Sequence, residues 1–225
     1  MNIFEDIAIF LPKYLSDDSS IALKEELKKF PTDGTKDTIY TSKLNQEEIL
    51  FQGDGIVAIK IVDLIKEKFK IAPAILLSNT CDMDTRNSRL FGSQICYAPI
   101  INLEKYLKDL SCFLLKKETD NNKLLSKDHI EKKVSQVIYN HLNDLKMQRI
   151  TQVLFLPKGG NLANDSIVFL DRIFNVETSH INRESLKSDR LFTLSDYGLY
   201  LFLLKLSIHF TRIQEKVDRF KGIVL

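Results

Sequence analysis

The chain has no tryptophan, three cysteines, eight glycines and five prolines in 225 residues. Cys81, Cys96 and Cys112 are an odd number at wide spacing, which excludes a disulfide framework and a CxxC zinc pattern. No apolar run is long enough to span a bilayer, because the best stretch, residues 198–210, is interrupted by Lys205 and His209. The opening MNIFEDIAIFLPKYL lacks the basic start and small-residue cleavage site of a signal peptide. With few glycines and prolines there is no low-complexity tract, and no internal repeat is visible. A large charge of either sign is also missing: 32 basic and 30 acidic residues leave +2, too little to draw nucleic acid by bulk electrostatics. A reducing cytoplasm is the expected setting, without membrane contact.

What is present is an ordinary globular composition, 44% apolar and 28% charged, long enough to bury a core in one or two domains. Residues 1–37 predict helices. Ile3, Ile7, Phe10 and Tyr14 form one stripe, and SDDSS offers caps for IALKEELKKF. TIYTSK and EILFQ are short extended runs. GIVAIKIVDL predicts a strand, KEKFK the tip of a hairpin, and PAILLS its return. QICYAPII is the next strand, and Asn102 caps a helix beginning LEKYLKDL. KETDNNKLLSKD reads as a linker before a second helix, in which Ile130, Val134, Ile138, His141, Leu142 and Leu145 are in phase. RITQVLFLP, the turn PKGGNLAND, SIVFLDRIFNVE and RLFTLS then lead into a final helix that is apolar almost all round. The expected α+β organisation is an antiparallel, partly closed barrel from residues 38–102 and 149–194. N-terminal helices (1–37), a helical insert (103–148) and a long C-terminal helix (195–225) complete it.

The densest polar chemistry is the bend at residues 79–89. Asp82 and Asp84 can hold a divalent metal or act as base, Arg86 and Arg89 can clamp a phosphate, and Asn79 and Thr80 can donate. The same residues equally make side-chain turns and ion pairs that hold a long loop in shape. Cys81 is a nucleophile only with a nearby histidine or cation, and otherwise a small residue packed at a strand end; Cys96 and Cys112 read as core. His129 and His141 lie twelve residues apart on one helix, too far to share a metal. His209 with Arg212 gives an acid and a phosphate anchor on the last helix, or only its polar edge. Asp171-Arg172 is an internal or strand-end ion pair. Lys158-Gly159-Gly160-Asn161 lacks the Walker pattern and reads as a hairpin turn. No cofactor is implied.

Four segments resemble the PemK/MazF toxin family. Gly53-Asp54-Gly55-Ile56-Val57 resembles its opening strand, and Pro73-Ala74-Ile75-Leu76-Leu77-Ser78 its return strand. Tyr97-Ala98-Pro99-Ile100 and Ser166-Ile167-Val168-Phe169-Leu170-Asp171 resemble two later strands. The resemblance covers about half the chain and implies an SH3-like barrel. The family's ribonucleases carry arginine where Ala72 stands, and threonine or serine where Ile100, Ile101 and Asn102 follow Pro99. The implied role is therefore a binding or interaction module of a bacterial toxin–antitoxin or phage-defence system. Its partner would be a protein or a second copy, or else RNA. The alternative is an endoribonuclease working through residues 82–89, with His209 or Arg212. The chain also resembles bacterial proteins with a Ser-x-[Thr/Ser]-Cys-Asp loop, here residues 78–82, followed by a Leu-Pro strand; that likeness implies no activity.

Overall fold

The computed structural model describes residues 39–63, 68–87, 90, 92–121 and 126–211. The expected helices within 1–37, Arg89 and Arg212 lie outside the described residues.

The Gly53-Asp54-Gly55 turn opens the framework. Strand β2 (Gly55–Asp63) returns antiparallel as β3 (Lys68–Leu76), with Lys60 opposite Ile71 and Asp63 opposite Lys68. A short helix, α1 (Thr80–Met83), precedes β4 (Gln94–Asn102), which pairs with β3 from Ala74 to Leu76. The Asn102 side chain accepts the Lys105 N–H at 2.9 Å, capping α2 (Leu103–Asn121). Helix α3 (Lys127–Lys146) packs against α2. Strands β5 (Val153–Leu156), β6 (Ser166–Phe169) and β7 (Phe174–Glu177) follow. Helix α4 (Leu186–Asp189), β8 (Arg190–Leu194) and α5 (Asp196–Thr211) complete the described chain, and β1 (Tyr40–Thr41) pairs with β8.

The described residues thus form an α+β fold with five α-helices around one eight-stranded antiparallel sheet, ordered β1-β8-β2-β3-β4-β6-β5, with β7 also on β4. The expected barrel does not close. No ladder among the described residues joins β5 to β1; the turn after β5 spans the gap instead. Tyr40 donates its hydroxyl to Pro157 O (2.7 Å), and Asn161 N–H reaches Leu191 O (2.7 Å). Backbone groups at the two sheet ends are tied by a turn, not a ladder.

Alternation sorts the side chains into three cores. Ile75, Ala98, Leu154, Leu156, Val168 and Phe192 pack beneath Phe202 of α5. From the opposite faces of β2, β3 and β4, Ile59, Leu76 and Tyr97 meet Leu50, Met83 and Leu186. Val153, Phe155 and Ile167 meet Leu103 and Leu145 of the helical pair. Strands β5 and β6 are therefore covered on both faces, which is why VLFL reads as an unbroken apolar run.

Several local expectations are corrected. EILFQ is not a strand; it is a loop wrapped around Arg190 with Leu50 fully buried. SIVFLDRIFNVE breaks at Leu170–Ile173 into β6 and β7, which pair with successive parts of β4. Residues 117–121 of the expected linker belong to α2, which runs through Asn121. Cys112 and Cys81 are exposed, not packed.

Candidate functional site

The bend after β3 is built by its own side chains. Leu77 and Ser78 both donate backbone N–H to Cys96 O, fixing the strand end. Asn79 caps α1, its Oδ1 accepting the Cys81 N–H at 2.9 Å. Thr80 Oγ1 accepts the Gln52 N–H at 3.0 Å, and Gln52 Nε2 donates to Leu77 O at 2.8 Å. Met83, fully buried, anchors the turn in the second core, and Arg183 Nη2 donates to its carbonyl. Asp84 takes a forked contact from Arg86: Nε to Oδ1 at 3.0 Å and Nη2 to Oδ2 at 2.7 Å. The Arg86 side-chain and backbone hydrogen bonds hold the Asp84 carboxyl at a pKa of about 2. Asn87 Nδ2 closes the bend on Cys81 O at 2.7 Å.

The structure brings Asn79, Thr80, Cys81, Asp82, Asp84 and Arg86 together at an exposed rim. In Asn79, Thr80 and the Asp84–Arg86 pair, the groups proposed as ligand-binding already serve the loop's own shape. His209 stands elsewhere. It is half-buried on α5, its ring edge-on to Phe210 at 5.0 Å, and α5 packs on β5 and β8. No group of three or more histidine, cysteine, aspartate or glutamate side chains able to hold a metal occurs among the described residues. Asp171 and Arg172 are both exposed, and the Arg172 guanidinium lies 4.6 Å above the Phe169 ring.

Three other arrangements were not singled out in the sequence. Asp54 and Arg190 form a buried ion pair (Nε to Oδ2, 3.1 Å), completed by Thr193 Oγ1 on Asp54 Oδ1 at 2.7 Å. Burial pushes the Asp54 carboxyl pKa up, against the Phe51 N–H, Arg190 and Thr193, which pull it down. Tyr106 on α2 and His141 on α3 share a 2.9 Å hydrogen bond, and burial lowers the imidazole pKa.

The third is the outer face of the β2–β3 hairpin. Among the described residues β2 bonds β8 only at Gly55 and Ile56, and β3 bonds β4 only from Ala74, so the described distal hairpin is a two-stranded ribbon. Its inner face buries Ile59 and Ile61. Its outer face exposes Phe69 (65%), Ile71 (70%) and Val57 (42%), with Lys60 Nζ 4.3 Å above the Phe69 ring. The legible signal was the alternation in KFKIA, which sets lysines on one face of the strand and Phe69 and Ile71 on the other.

No protein-family model matches the chain, and no curated protein matches it significantly in sequence. No described helix is long and apolar enough to cross a membrane.

Proposed function

We propose that the protein is a PemK/MazF-like interaction module of a bacterial toxin–antitoxin or phage-defence system, working in the cytoplasm through a protein partner. The observation that carries this reading is the outer face of the β2–β3 ribbon. Phe69, Ile71 and Val57 are exposed on one face of the ribbon, where an apolar cluster marks a contact surface. The ribbon's outer edges lie outside the described ladders and can accept a further strand. The SH3-like assignment rests on the four sequence segments and on the antiparallel pairing of the strands that carry them. The internally bonded bend argues against its use as a ribonuclease centre.

The test uses purified full-length protein, mixed RNA, and buffers with and without Mg2+ or Mn2+. The reading expects no specific cleavage, and a stoichiometric protein partner from the native host that is lost in Phe69→Glu/Ile71→Glu. Specific cleavage abolished by Arg86→Ala would replace it with the endoribonuclease.

A further inference from the structure

A cavity of about 360 Å³ lies where the sheet fails to close, between β1, β8 and the turn after β5. That volume falls at the small end of ligand sites, about 300–1,000 Å³. Its apolar side is Tyr40, Leu191 and Phe192, with the Tyr40 and Phe192 rings 4.8 Å apart. The Tyr40 hydroxyl is committed to Pro157 O; burial, and then the Asp165 charge, raise its pKa and keep it protonated.

The polar side is Lys158-Gly159-Gly160, with Ser42 and Asn45 across from it. Both glycines are required. A Cβ on Gly159 would lie 2.7 Å from the Tyr40 ring, and one on Gly160, whose φ is +55°, 2.8 Å from Leu191 O. Without side chains the turn lies down on β1 and β8 and brings its backbone to the cavity. Among the described residues the Lys158 ammonium, the Ser42 hydroxyl, the Asn45 side-chain amide and the Gly160 N–H make no hydrogen bond or ion pair. Asp165, the acidic neighbour, has Oδ1 turned to the Lys158 backbone N–H at 2.8 Å. Lys158, Ser42, Asn45 and Gly160 thus line a concave surface beside the apolar Tyr40, Leu191 and Phe192. At the bend, by contrast, the corresponding groups are bonded to the fold.

We propose that this cavity binds a small planar phosphate monoester, a mononucleotide. Its flat ring lies against Tyr40 and Leu191. Its phosphate meets the Lys158 ammonium and the Gly160 N–H, with Ser42 and Asn45 as further donors. The site is separate from the ribbon face, and either assignment can fail alone.

Calorimetric titration of the full chain with AMP, CMP, adenosine and inorganic phosphate tests it. Mononucleotides bind, and adenosine and phosphate each bind at least about tenfold more weakly, a difference of about 1.4 kcal/mol. Lys158→Met weakens nucleotide binding by about tenfold or more, and Ser42→Ala/Asn45→Ala weakens it less. Lys132→Met, on the exposed side of α3, and Phe69→Glu/Ile71→Glu leave it unchanged; circular dichroism verifies each fold. Absence of nucleotide binding, phosphate binding as tight as nucleotide binding, or unchanged affinity in Lys158→Met would each overturn the proposal.

Discussion

Arg190 organises more of the chain than any residue of the bend. Besides Asp54, its guanidinium donates to the carbonyls of Leu44, Asn45, Glu47 and Ile49, so one side chain shapes the whole loop before β2. Both partners are almost fully buried, at 2% and 0% side-chain exposure, so removing one strands the other's charge. Asp54→Ala is expected to lower stability by about 3–5 kcal/mol in urea denaturation. Arg86→Ala is expected to behave differently. Asp84 should return from about 2 to the ordinary carboxyl range, near 4 by NMR titration, and because the Arg86 side chain is 74% exposed and solvent screens the contact, the loss of stability should stay well below that of Asp54→Ala. Polar density drew attention to residues 79–89, whereas Asp54 and Arg190, 136 positions apart, carry no local sign of pairing.

Among the elements, α5 shows how a helix apolar nearly all round is fitted to a sheet. Gly198 lies against β1's approach: an added Cβ would stand 2.2 Å from Ile39 O, a backbone atom that cannot give way easily. Gly198→Ala should cost about 1–3 kcal/mol through overpacking, measurable as a lowered Tm. Lys205, on the same helix, is buried and donates to Gln148 O (2.8 Å) and Ile150 O (2.9 Å). Burial lowers its pKa to about 8, below the unfolded value of 10.5. The unfolded chain therefore binds more protons between those values, and stability rises with pH from about 8 to about 10.5. Lys205→Met should flatten that rise, which is on the order of 3 kcal/mol, in denaturation curves taken across the interval. Helices α2, α3 and α5, the β2–β3 hairpin, β4 and the Asn102 cap were legible because each is written in local sequence pattern; the short helices α1 and α4 were not. The loop at EILFQ was not, because its apolar Leu50 answers to a distant core and its carbonyls to Arg190.

At the scale of the whole molecule, the strand segments around Ile56, Leu76, Cys96 and Phe169 do join one sheet, with the bend at its rim. Their spacing and apolar character made that legible. The missing closure between β5 and β1 was not, because it depends on Gly159 approaching one edge of the Tyr40 ring and Gly160 the Leu191 backbone O, a long-range fit that two glycines permit. The same openness separates three surfaces: a bend bonded to itself, a cavity at the gap, and an apolar ribbon face. Partner binding is proposed for the last. Hydrogen exchange of the protein, alone and with a protein captured from the native host, tests this most directly. Slowed exchange in residues 55–61 and 68–73, with residues 79–87 unchanged, is the expected result. Protection confined to the bend, with the ribbon unaffected, would contradict it.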